Sequence, residues 1–206
     1  MSNFIKEAIC LNTDRLLAGS RFYNGDLSPL ETEAVRLLKE KNITVAAAES
    51  CTGGLLSQRI TNVSGASEIF HCGIVSYANE IKEKLLFVER DMLRKYGAVS
   101  AVVACEMARG ARHQAQSDIA VGITGIAGPS SDGTDKPVGL VYVALYDGDK
   151  VQVREIRSDF KGDGVRDYNR YLSSSVALEM IIDYINHGCR LSSGQNAEVF
   201  ISQFHG

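Results

Sequence analysis

No run of lysine or arginine occurs anywhere in the 206 residues, so the chain offers no basic stripe to the phosphate backbone of DNA or RNA. Nucleic acid is not an expected partner. There is no C-x-x-C pair either. The five cysteines, Cys10, Cys51, Cys72, Cys105 and Cys189, are odd in number and widely spaced, which argues against a disulfide framework or a zinc knuckle and fits a reducing, cytoplasmic setting. The four histidines, His71, His113, His187 and His205, are just as scattered, and no H-E-x-x-H motif is present. No metal site and no cofactor are therefore expected. Long apolar runs are missing as well: the first twenty residues carry Glu7 and Asp14 and read neither as a signal peptide nor as a membrane span.

What is present is an ordinary globular composition, 45% hydrophobic and 23% charged with a formal net charge of −3, in a length that suits one domain. Ser28-Pro29-Leu30-Glu31 reads as a capping box with proline at the first helical position, and Leu30, Ala34, Leu37 and Leu38 follow at helical spacing. The domain is expected to span residues 28–188, preceded by an extension, 1–27, and followed by a polar tail, 189–206.

Ile43 to Ala48 is a short apolar run leading into Glu49-Ser50-Cys51-Thr52-Gly53-Gly54, after which Leu55, Leu56, Arg59 and Ile60 suit a helix. The pattern is strand, tight turn, helix. Gly73 to Tyr77 reads as a second strand, followed by a helix capped by Asn79 and carrying Ile81, Lys82, Leu85 and Leu86. Ser100 can cap a helix through Ala104, Met107, Ala108 and Ala111, which leads to a strand, Ile119 to Thr124, and a glycine-rich loop, Gly125 to Gly133. Val138 to Tyr146 and Lys150 to Arg157 flank Asp147-Gly148-Asp149, a hairpin signal with a three-residue loop. One long helix is expected from about Arg166 to Asn186, stopped near His187-Gly188. The sum is an α/β fold, a single-domain mixed β-sheet with helices packed on its faces. Ligands in such folds gather at strand ends, beside the loops Glu49–Gly54 and Gly125–Gly133.

Ser50 follows a strand and precedes a helix, where backbone N–H groups could stabilise an oxyanion, and Gly53 and Gly54 would let a substrate approach the backbone. Taken alone, Ser50 is better read as the helix N-cap. Cys51 is a second possible nucleophile, though a small buried residue is the plainer reading. Lys82 would ordinarily be solvated. Pointing into a cleft, it would lose charge by desolvation and could serve as general base for a serine hydroxyl, with Tyr77 relaying or orienting the proton. Thr124-Gly125-Ile126-Ala127-Gly128-Pro129-Ser130 could cradle a phosphate, but it lacks the G-K-[ST] ending and the G-x-G-x-x-G spacing of nucleotide-binding loops. Arg166 and Arg170, four residues apart, could hold a phosphate or decorate a solvated face.

Five blocks, taken in order, resemble the CinA C-terminal domain family: Ala47 to Gly54, Gly73 to Leu86, Tyr96 to Ser100, Thr124 to Pro129 and Lys136 to Val141. The resemblance covers about residues 30–186. It implies an amidohydrolase that takes the carboxamide of nicotinamide mononucleotide to nicotinate mononucleotide and ammonia in pyridine-nucleotide salvage, and it implies a homo-oligomer. By the same resemblance Ser50 is the nucleophile, Lys82 and Tyr77 are its catalytic partners, and Thr124 and Arg166 line the site; Gly53, Gly54 and Gly125, from the loops read above, are expected to bind substrate with them. Two departures stand out: Gly162-Asp163-Gly164-Val165-Arg166 carries two residues more than the family's Gly-Asp-Arg, and residues 1–27 have no counterpart in its short members. The competing expectation is a catalytically silent interaction module linked to competence or the DNA-damage response.

Overall fold

A computed structural model describes residues 29–188. The 1–27 extension and the 189–206 tail lie outside the described residues, as does Ser28 of the expected capping box. Six helices and five strands follow in the order α1 (Pro29–Lys41), β1 (Val45–Glu49), α2 (Leu55–Thr61), a 3-10 turn at Ala66–Glu68, β2 (Phe70–Val75), α3 (Asn79–Leu86), α4 (Arg90–Tyr96), α5 (Ala101–Ala115), β3 (Ile119–Gly125), β4 (Leu140–Tyr146), β5 (Val151–Arg157) and α6 (Val165–His187).

The strands form one mixed sheet in the order β2-β1-β3-β4-β5. β1 is parallel to both β2 and β3, whereas β4 is antiparallel to its neighbours β3 and β5. β1 is buried along its whole length, as a central strand covered on both faces must be, which explains why its sequence runs apolar without alternating. Val45 and Ala47, with Ile119, Val121 and Ile123, pack under α1, α2 and α6. Ala46, Ala48 and Ala120 face the other way, toward α3, α4 and α5.

That second face is built from small residues, and the helix on it sits very close. A Cβ on Gly122 would lie 2.2 Å from the Ala104 carbonyl oxygen of α5, and one on Gly110 of α5 would lie 2.1 Å from the Leu86 carbonyl oxygen at the end of α3. Backbone therefore meets backbone where side chains usually intervene. The opposite face is pinned by a buried ion pair. The fully buried Arg59 of α2 donates through Nη2 to the Glu31 carboxylate of α1 at 2.8 Å and through Nη1 to the hydroxyls of Ser174 and Ser175 of α6 at 2.7 Å each. Its guanidinium also stacks 4.4 Å from the Tyr171 ring centre. One cation thus joins three helices, and Glu31, expected as a capping residue, is committed to that pair.

The main differences from the sequence expectations lie at element ends. β2 begins at Phe70 rather than Gly73, because Phe70-His71-Cys72 pair with β1 along the sheet edge. Asn79 is the first residue of α3 and does not cap it; the capping position is Ala78, with no side-chain bond. The β4–β5 connection is four residues long, since Tyr146 pairs with Val151 and the Asp147 carboxylate accepts from the Asp149 and Lys150 amides. α4 had no counterpart in the reading: of its residues Arg90-Asp91-Met92-Leu93-Arg94-Lys95-Tyr96 only Leu93 is buried, too little for an apolar period to register. Ser100 caps α5 as expected, its hydroxyl accepting from the Val103 amide.

Candidate active site

Because β4 runs against its neighbours, the ends of β1, β2, β3 and β5 and the start of β4 lie along one side of the sheet. A cleft of about 270 Å³ opens there, lined among others by Ser50, Cys51, Tyr77, Lys82, Thr124 and Arg166.

Ser50 leaves β1 in a turn that is fixed from below. The side chain of Glu49, fully buried, reaches forward to the start of α2, where its two oxygens accept from the amides of Leu56 at 3.0 Å and Ser57 at 2.8 Å and from the Ser57 hydroxyl at 2.7 Å. The first free amides of α2 are satisfied by a carboxylate from the preceding strand. Ser50 consequently has no capping duty; the capping position is Gly54, at φ +92°. The Ser50 amide donates to the Ile123 carbonyl of β3 at 2.9 Å, and Arg170 of α6 donates twice to the Thr52 carbonyl, at 3.0 and 2.9 Å. The turn is held from both sides, and among the described residues its Cys51 and Thr52 amides donate to no backbone carbonyl, both lying beside the Cys51 thiol.

Lys82, from α3, is only 1% exposed although its ammonium faces the cleft. Nζ donates to the Ser76 carbonyl at 2.7 Å and to the Ser50 hydroxyl at 3.2 Å. Burial pushes its pKa down from 10.5 to about 8, partly offset by the neighbouring Cys51. Burial has the opposite effect on the Cys51 thiol, which rises to about 12 and so stays protonated at neutral pH. Of the two adjacent candidates for attack, the hydroxyl has a base in hydrogen-bond reach and the thiol is the poorer nucleophile.

The other wall carries the remaining candidates. Arg166, at the start of α6, donates through Nη1 to the Gly128 carbonyl at 3.0 Å and through Nη2 to the Tyr77 hydroxyl at 2.9 Å. Tyr77, 61% exposed, thus meets Arg166 across the cleft mouth and makes no hydrogen bond with Ser50 or Lys82. The Thr124 hydroxyl donates to the Ala98 carbonyl at 2.7 Å, and Gly125 lies on the cleft wall. A Cβ on Gly125 would come within 2.7 Å of the Leu140 carbonyl oxygen, so only glycine fits between β3 and β4 there. Gly53 and Gly54 serve the turn with positive φ and are not among the cleft-lining residues. Arg170, paired with Arg166 by spacing, is spent on Thr52. Ser130 to Asp132 of the expected glycine-rich loop line the cleft as well, and so does Asn79, which the sequence offered only as a helix cap. Among the described residues no group of His, Cys, Asp or Glu could hold a metal ion, and no helix is long and apolar enough to cross a membrane.

A model of the CinA C-terminal domain matches residues 27–185. A CinA-like protein of Geobacter sulfurreducens is 51% identical over 152 residues, 74% of this chain and 36% of that protein. A putative competence-damage inducible protein of Acetivibrio thermocellus is 47% identical over 163 residues, 79% of this chain and 38% of its own. The chain therefore spans less than half the length of these relatives. Among solved structures, the competence/damage inducible protein of Agrobacterium tumefaciens superposes with a TM-score of 0.70 at 36% identity, covering 82% of this chain and 99% of that one. A CinA superfamily protein of Escherichia coli gives 0.71 at 27% identity, covering 84% and 98%.

Proposed function

The chain belongs to the CinA C-terminal domain family, and on that premise we propose that it is a metal-independent amidohydrolase with Ser50 as nucleophile and Lys82 as general base, acting on the carboxamide of nicotinamide mononucleotide. The observation that carries the chemistry is the Lys82 to Ser50 contact, 3.2 Å between a lysine nitrogen held near neutrality and a hydroxyl on a rigid turn. The neutral amine takes the hydroxyl proton as Oγ attacks the amide carbon. The resulting ammonium returns a proton to the departing nitrogen, so ammonia leaves and an acyl ester remains on Ser50; a water molecule, deprotonated by the same amine, then releases the acid. The Cys51 and Thr52 amides, which have no backbone acceptor among the described residues, are suited to receive the developing oxyanion.

The substrate assignment rests on family resemblance and on the placement of charge. Arg166 presents a guanidinium to the cleft beside the Tyr77 hydroxyl and the Gly128 carbonyl, an arrangement a 5′-phosphate can enter by replacing the neutral tyrosine as acceptor. Tyr77 on this reading orients Arg166. Steady-state ammonia release from the mononucleotide, nicotinamide riboside and free nicotinamide tests the assignment. The mononucleotide is expected to be far the best substrate, and Arg166→Ala to lower its kcat/KM about ten- to a hundredfold while leaving the other two nearly unchanged. Equal hydrolysis of riboside and mononucleotide would remove the nucleotide from the proposal and leave an amidase that does not read phosphate.

A further inference from the structure

Between Ile126 and Gly139 the chain leaves the sheet and returns, closed at its base by the Ile126 amide on the Leu140 carbonyl at 2.9 Å and the Gly139 amide on the Ile126 carbonyl at 2.8 Å. The outgoing arm supplies much of the cleft wall. It is secured by α6: Asn169, 2% exposed, donates to the Ala127 carbonyl at 3.0 Å, and Arg166 donates to the Gly128 carbonyl. The returning arm has a different anchor. The Lys136 ammonium donates to the Val99 carbonyl at 2.6 Å and the Tyr96 carbonyl at 3.2 Å, in the bend between α4 and α5, and beside it Val99 packs with Ile126, Leu140 and Val138. Ala98 and Val99 of that bend line the cleft with Ser130 to Asp132 of the loop.

We propose that Lys136 is a positioning residue that fixes the cleft wall by tying the returning arm of the 126–139 loop to the Tyr96–Val99 bend, and so governs the binding of substrates that extend beyond the scissile amide. Its charge suits the place, because the Tyr96 carbonyl ends α4, where the helix dipole favours a cation. The bend is shaped to receive it. Gly97 has φ +77°, and a Cβ there would lie 3.0 Å from the Lys136 ammonium, so glycine and lysine form a matched pair drawn from segments about forty residues apart. Without the two bonds the returning arm keeps its base and the packing of Val138, and the Ser130–Asp132 stretch is held less firmly at its distance from Thr124 and Arg166. Lys136 touches neither Ser50 nor Lys82, so the chemistry should be spared.

The proposal builds on the amidase reading, and two measurements separate them. Hydrogen exchange compares wild type, Lys136→Met and Lys136→Arg: the methionine variant is expected to lose protection in residues 96–99 and 127–138 alone, and the arginine variant to regain part of it. Steady-state kinetics with the mononucleotide should then give a roughly tenfold or larger rise in KM with kcat and the ascending limb of the pH profile little changed. Gly97→Ala, a lesion on the other side of the contact, should reproduce the KM effect. Unchanged exchange in Lys136→Met, or a fall in kcat with a displaced pH limb at constant KM, would overturn the role of Lys136. A wild type inactive on the mononucleotide would strike the substrate instead, and the exchange result would still decide for or against the tether.

Discussion

Replacing Lys82 by methionine should abolish turnover and at the same time make the protein more stable. The buried amine is displaced from 10.5 to about 8, a difference of roughly 3 kcal/mol between its charged form in water and in the fold. Because the folded-state value is depressed, the cost of burying the ammonium is complete below pH 8 and falls away as pH rises from about 8 toward 10.5. At pH 7 methionine removes all of it and fits a similar volume, losing the hydrogen bonds to the Ser76 carbonyl and the Ser50 hydroxyl, about 1 kcal/mol each. The net gain is about 1 kcal/mol, or roughly 2–4 °C in Tm for a domain of this size. Calorimetry of both proteins at pH 7 and pH 10 tests it: the methionine variant should melt higher at pH 7, and the difference should shrink at pH 10. The same displacement sets the rate, since only the neutral amine is a base. Wild-type kcat/KM should rise about tenfold per pH unit below a limb near pH 8, leaving about a tenth of the maximum at pH 7. A methionine variant that melts lower than wild type at pH 7, or a wild-type profile flat from pH 6 to 9, would refute the assignment of a buried, near-neutral lysine.

Ser50→Ala should eliminate ammonia release, while Cys51→Ala, which removes a thiol held protonated by burial, should keep most of it; loss confined to the cysteine variant would exchange their roles. Glu49→Gln puts an amide donor where the Leu56 and Ser57 N–H groups need an acceptor. It should lower kcat at least tenfold and reduce stability by about 1–3 kcal/mol, read from urea unfolding beside the assay; wild-type kcat in this variant would show that the turn under Ser50 is held by other means. Arg59→Met removes the cation that faces the buried Glu31 carboxylate and should cost about 3–5 kcal/mol, whereas Arg59→Met with Glu31→Leu should recover much of that. Additive losses in the double variant would contradict the pairing.

Legibility followed the range of the interactions. Helices α1, α5 and α6 and strands β1 and β3 could be read because their apolar period and flanking signals are local, down to the Ser100 cap. The β2 boundary could not, since Phe70-His71-Cys72 owe their extended form to pairing with β1. Lys82 illustrates the limit within the site. A lysine on an amphipathic helix reads as solvated, and it is the packing of α3 against α5, close at the Leu86 carbonyl, that turns Lys82 and Leu86 inward while the rest of the helix stays at the surface. Glu49 was visible as a neighbour of Ser50, yet its bonds to α2 depend on a turn whose path two positive-φ glycines decide. The pairing of Tyr77 with Arg166 joins residues 89 apart in sequence, which no local pattern encodes.

The antiparallel turn from β3 to β4 divides the labour of the molecule by position in the chain. Everything that would break the amide bond lies between residues 49 and 82, on β1, β2 and the helices they lead into. Nearly everything that would choose the amide lies later, in the α4–α5 bend, the 126–139 loop and the first turn of α6. The two halves face each other across the cleft and are joined besides by β1–β3 pairing and by the Arg170 bonds to the Thr52 carbonyl, yet they draw on separate segments, so descendants of one ancestor could exchange what they recognise while inheriting the bond-breaking half unaltered. A transplant of residues 126–139 between relatives, with the matching residues at 97 and 166, is the unit in which such a change of diet would be inherited.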